Sequence, residues 1–230
     1  MKKSSLYLAI IQKLKYFVLI VLTVVFLLNI LFSFNQRLHS NMAHMHYVAY
    51  LINEHKFVLY RDIFDINMPV SYLFHIAIGK LLGYSDTALH IANLIWLSIM
   101  FVVTWLIMKP FGRLVAFASC ILFGCIYIYT GNGLYLERDT ITVLPIATTI
   151  LLSVYMKNTN LLKFKYFFIG VLFAVAALVK PHLIIGLPVL IIYNLINDFD
   201  NNKTNLVGNY IKNILLSLSG FSLIIIICII

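Results

Sequence analysis

The stretch YFVLIVLTVVFLLNILFSF, Tyr16–Phe34, decides the fold class. It contains no charged residue, and at 1.5 Å per residue its helix reaches across about 30 Å of hydrocarbon. Lys2, Lys3, Lys13 and Lys15 precede it and no small-residue cleavage site follows. This pattern predicts a retained signal anchor, with the N-terminus on the cytoplasmic side.

Outward from this span the same composition continues. Of 230 residues, 62% are hydrophobic and 11% charged, which excludes a soluble domain. The +9 net charge does not imply a nucleic-acid partner, because the basic residues sit mostly between apolar runs, where membrane orientation places them. Further spans read as Thr87–Met108, Leu114–Thr130, Ile141–Met156, Tyr166–Val179, His182–Ile196 and Val207–Ile230. The expected fold is an all-α polytopic membrane protein of about seven transmembrane helices, with residues 1–230 forming one membrane domain. Lys180-Pro181 interrupts one apolar stretch, leaving either a hairpin of two short helices or a single kinked helix. Cys120, Cys125 and Cys228 all fall inside apolar runs, so neither a disulfide framework nor a zinc site is expected.

With seven crossings, Lys109, Arg113, Lys157, Lys163, Lys165, Lys203 and Lys212 join the N-terminal lysines inside. Six of the eight acids, Glu54, Asp62, Asp65, Asp86, Glu137 and Asp139, fall outside. Residues 35–86 form the one sizeable outer loop, and its sequence predicts two juxtamembrane helices. In Met42–His55, Met45, Val48, Ala49 and Ile52 recur at helical spacing, opposite His46, Tyr50, Asn53 and Glu54. Ser40 or Asn41 supplies a cap. A second helix is expected from Pro69, favoured in a first turn, to Leu82, with Gly83 ending it.

Between these helices lies YRDIFDINMP, Tyr60–Pro69, where Arg61–Met68, held extended at Met68 by the following proline, reads as a turn between the two helices. Asp62 and Asp65, three apart, would share a face in a helical turn, with Arg61 alongside. A carboxylate tuned between apolar surface and an arginine suits a general base, although a solvated loop gives the same spacing. Glu137, Arg138 and Asp139 open a later span, where charges mark a functional site or an interfacial salt bridge. Lys180 can meet a lipid phosphate as a point charge, or snorkel. His44 and His46 are two apart, do not face each other on a helix, and so predict no metal site.

The order of a first span, the outer loop NMAHMHYVAYLINEHKFVLYRDIFDINMPVSYLFH (Asn41–His75), a LERD opening a later span and a downstream KPH resembles membrane glycosyltransferases of the GT-C fold. It is most similar to bacterial relatives of dolichyl-phosphate-mannose protein mannosyltransferases and of aminoarabinose transferases. The resemblance implies a polyprenyl-phosphate sugar donor, a membrane-lipid setting, and a lipid, glycan or protein acceptor, with transfer on the extracytoplasmic face of a bacterial inner membrane. It implies Asp65, Asp62, Glu137 and Asp139 as catalytic residues. Arg61, Asn67, Arg138, Lys180, His182, Asn41 and His44 would bind substrate. No cofactor is implied, a divalent cation aside. Asn41 stands where such relatives carry an acid, and they continue through further spans, so the chain is expected to be C-terminally incomplete. A non-catalytic lipid-binding or transporter-like protein that keeps the fold is the rival expectation.

Overall fold

The computed structural model describes residues 2–36, 40–130, 135–156, 162–199 and 206–229. The described helices are α1 (Lys2–Ser33), α2 (Ser40–His55), α3 (Pro69–Leu82), α4 (Asp86–Met108), α5 (Arg113–Tyr129), α6 (Arg138–Tyr155), α7 (Leu162–Ala177), α8 (Gly186–Phe199) and α9 (Leu206–Ile229). Short 3₁₀ turns occupy Lys109–Phe111 and Pro181–Ile185. The protein is an all-α, multi-pass membrane protein. Each expected span falls on a helix, but among the described residues only Ile10–Ser33, Asp86–Phe111 and Tyr210–Cys228 are both long and apolar enough to cross a membrane. The others are shorter. Lys157, Lys203 and the Gly131–Leu134 part of the second outer loop lie outside the described residues.

The first helices run in alternating directions. Leu14–Leu22 of α1 face Leu114–Leu122 of α5 in the same order, and the α5 residue Gly124 lies against the Phe26 ring. Between α4 and α5 the order reverses, with Cys120 at the Phe101 carbonyl and Tyr127 at Asn93. Tyr155 at the end of α6 donates to the Leu106 carbonyl of α4 at 2.8 Å, while Val143 shares a groove with Trp96, so α4 and α6 run together. This is the alternation the first four expected crossings require.

One core joins α1, α2, α4 and α5 through Phe26, Met42, Leu89, Trp96, Met100 and Ile121. Inside it the Tyr127 hydroxyl donates to the Asn93 side chain, with the Trp96 ring 5.2 Å from that of Tyr127. A buried polar pair of this kind adds specificity more than energy. We therefore expect Tyr127→Phe to cost about 1 kcal/mol in thermal unfolding in detergent, because Asn93 loses its partner.

α6 carries Thr142, Thr148, Thr149 and Ser153, whose hydroxyls all donate to carbonyls three or four residues back. Such back-bonding lets a polar helix sit in apolar surroundings. A second core, Ile169, Phe173, Leu187 and Ile191, joins α7 to α8. The chain breaks at Lys180, which is extended, and Pro181 begins the 3₁₀ turn. The expected interruption is thus two helices rather than one kinked helix. α7 and α9 cross closely at Gly170 and Gly220, each against the backbone of the other helix.

The two loop helices form where the sequence places them. Met68 is extended before Pro69, and Gly83, at φ 90°, ends α3 in a region glycine occupies freely. On α2, Met45, Val48 and Ala49 are buried as expected, Ile52 is half-buried, and Met42 is buried with them. His46 departs from the expected polar face. It is buried too, because α3 and Tyr84 cover that side of α2.

Candidate functional site

The segment between α2 and α3 folds as a tight turn rather than a helix. Lys56 and Tyr60 take φ of 59° and 68°, conformations that cost most residues energy, and Leu59 bridges to Ile63. The expected turn between the two loop helices is thus present, and the shared face that a helical turn would give Asp62 and Asp65 does not form. Asp62 accepts the Val58 N–H at 2.8 Å and a two-pronged contact from the Arg61 guanidinium, both arms 2.9 Å. The Arg61 hydrogen bonds, then the Val58 amide, hold its carboxyl down at about 2. Arg61 is largely exposed and engaged with its neighbour. Asp62 therefore pins the turn.

Asp65 faces inward, its side chain only 7% exposed. One carboxylate oxygen accepts from the Asn67 backbone N–H at 3.0 Å and from the Asn67 side-chain amide at 2.8 Å. The other meets His44 Nε2 at 2.9 Å. Burial pushes the Asp65 carboxyl up, but hydrogen bonds from Tyr72, His44 and the Asn67 amide outweigh it, and the result lies below the usual carboxylate range. Tyr72 is fully buried, and its phenol is raised by burial and by the neighbouring Asp65. The Tyr60 hydroxyl donates to the Asn67 carbonyl, tying the turn to the segment that holds Asp65.

Asn41 lies one helical turn before His44, on the same side of α2. Its amide donates to Glu137 at 2.8 Å. Glu137 takes the N-cap position of α6, preceded by buried Leu136 at φ 50°. Asp139, in the first turn of α6, pairs with the Lys180 ammonium, which reaches it from the break after α7. Asp65, Glu137 and Asp139 are thus strung along one end of the helices by His44, Asn41 and Lys180. Arg138 is half-buried between the two α6 acids, and His182 is exposed on the Pro181–Ile185 turn.

Asp139 also stands at the edge of a cavity of about 260 Å³ between α4, α5 and α6, walled by Trp96, Phe123, Tyr127 and Val143. Among the described residues, no group of three or more His, Cys, Asp or Glu side chains could hold a metal ion. Sequence reasoning missed Tyr60 and Tyr72, which hold the acid-bearing turn, and the buried imidazoles His46 and His75. No local pattern separates a tyrosine that only packs from one that also binds a carboxylate.

No curated protein and no solved structure matches the chain. The family described as dolichyl-phosphate-mannose-protein mannosyltransferase matches residues 67–227, well over half of the chain. The match includes Asn67, Glu137, Arg138, Asp139, Lys180 and His182 and begins just after Asp65. The chain belongs to this family, a group of membrane glycosyltransferases of the GT-C type.

Proposed function

We propose that the chain, as a single membrane domain over residues 1–230, transfers a sugar from a polyprenyl-phosphate donor to a lipid, glycan or protein acceptor. The face is extracytoplasmic, the membrane a bacterial inner membrane, and the N-terminus cytoplasmic. One observation carries this reading: contacts from His44, Asn41 and Lys180 draw Asp65, Glu137 and Asp139 to one end of the helices, beside an apolar groove.

The chemistry follows from these positions. The donor tail lies along the groove walled by Trp96, Phe123 and Tyr127, which brings its phosphate toward Asp139 and Lys180. Lys180 moves from Asp139 to the phosphate and stabilises the charge that develops as the anomeric carbon–oxygen bond breaks. The acceptor hydroxyl attacks the anomeric carbon, and its proton passes to Asp65. Asp65 Oδ2 becomes available when His44, which is mostly exposed, swings away. Arg138 and His182 flank the sugar and phosphate, Asn41 orients Glu137, and Arg61 and Asp62 hold the turn. Were a divalent cation to assist, Glu137 and Asp139 would hold it, and it would supply charge neutralisation to the leaving phosphate.

A binding-only reading has one observation in its favour. The resemblance implies an acid where this chain has Asn41, and Asn41 is engaged with Glu137. Membranes carrying the chain, supplied with a series of labelled polyprenyl-phosphate sugars, separate the two readings. Transfer from at least one donor, with kcat/KM lowered about 10- to 100-fold in Lys180→Gln, is the expected result. Donor binding without transfer across the series would leave only the binding protein.

A further inference from the structure

α2 has a second working side. Asn41 and His44 face the acids, whereas His46 and Tyr50 lie roughly opposite them around the helix. There a cavity of about 270 Å³ opens between α2, Tyr84 and the start of α4, lined by His46, Tyr47, Tyr50, Tyr84 and Asp86. None of the residues lining it is a lysine or an arginine.

The rings pack on one another along one wall of the cavity. Tyr84 lies 5.1 Å from the His46 ring and 5.3 Å from Tyr50, and Tyr50 stacks on Tyr47 at 6.3 Å. His46 is only 5% exposed, and neither ring nitrogen has a hydrogen-bond partner of good geometry. The Gly83 backbone and the Asp86 charge favour a protonated ring, but burial outweighs them, so the imidazole is neutral. At most one nitrogen faces Gly83, which leaves the other without a partner. A buried polar atom of this kind is costly unless something binds it. Asp86 also begins a membrane-length helix, which sets the cavity at the end of a span, and the Glu54 charge reaches Tyr84.

Simple aromatic packing, with Asp86 answering the α4 dipole, explains the rings and the carboxylate separately. It leaves the unpartnered His46 nitrogen unexplained. Tyrosine faces attract a cation, two carboxylates add negative potential, and a neutral imidazole nitrogen accepts an N–H. An anion would find tyrosine hydroxyls here but would be repelled by the Asp86 charge.

We infer that this cavity binds a primary ammonium group, held by the Asp86 carboxylate and by the free nitrogen of His46, beside the aromatic wall of Tyr47, Tyr50 and Tyr84. The group comes either from an ethanolamine lipid headgroup at the membrane surface or from a soluble amine. The inference is independent of whether the acid-lined side of α2 transfers a sugar.

The test uses the full chain, with isotope-labelled histidine, in phosphatidylcholine nanodiscs. Ethanolamine, choline and glycerol are titrated while the His46 ring resonances are followed. Ethanolamine shifts them saturably, choline, which lacks an N–H, binds at least about tenfold more weakly, and Asp86→Asn weakens ethanolamine about tenfold. Asp86 is exposed, so this substitution leaves the packing intact. If phosphatidylethanolamine in the disc produces the same shift and blocks the soluble amine, the ligand is the headgroup. If only the soluble amine acts, the ligand is a free amine. Glycerol or choline binding as tightly as ethanolamine, or no saturable shift with any amine, overturns the assignment.

Discussion

Asp65→Asn lowers sugar transfer by about 10²- to 10⁴-fold while leaving donor binding nearly unchanged. The amide keeps the shape and most contacts to Asn67 and Tyr72 but cannot take the acceptor's proton. The wild-type pH profile carries a second signature. Because the Asp65 carboxyl sits below its ordinary range, the group stays charged until the pH falls past that lowered value. The acid limb of activity therefore lies below the usual carboxylate range. Any stability linked to this ionisation is present above the unfolded value and lost on the same descent. His44→Ala removes a hydrogen bond and a favourable charge interaction, so it moves the acid limb to higher pH. Full activity in Asp65→Asn, or an acid limb that His44→Ala leaves in place, would remove Asp65 from the chemistry.

Gly170→Leu separates α7 from α9. A Cβ at Gly170 would lie 1.9 Å from the Ser217 carbonyl oxygen, and one at Gly220 would lie 2.2 Å from that of Phe167. Both neighbours are backbone, which cannot rotate aside as a side chain can. Small residues at helix crossings in membranes permit this approach, and Ala174, four residues after Gly170, is fully buried. The expected loss is roughly 3 kcal/mol or more, read by thermal or denaturant unfolding in micelles. Gly208→Ala is the control, since no atom lies near its would-be Cβ. Equal stability of Gly170→Leu and Gly208→Ala would show that the crossing does not hold the helices together.

What was legible in the sequence follows from range. The start and end of α3 were readable because Pro69 and Gly83 restrict their own backbone. The spans were readable because lipid demands long apolar runs. The partners of the acids were not readable. Asn41 meets Glu137 across 96 residues and His44 meets Asp65 across 21, and no local period encodes either pairing. The turn between the loop helices was legible from Met68 standing before Pro69, but the orientations of Asp62 and Asp65 within it were not. Three residues apart implies one face only inside a helix, and the left-handed Tyr60 together with the Arg61–Asp62 clamp forbids a helix there. His46 was assigned to water because amphipathicity identifies the side of α2 facing its first neighbour, and a second neighbour, α3, covers the other side.

The pairing of Asp139 with Lys180 also sets an order of birth. A ribosome delivers Asp139 to the membrane 41 residues ahead of its cation. Until the break after α7 has been synthesised, the tip of α6 carries a charge with no Lys180 to answer it. The contacts of Asp65 with His44 and of Glu137 with Asn41 need no residue beyond Glu137, so a chain stalled before Lys180 leaves only the Asp139 corner of this rim unfinished.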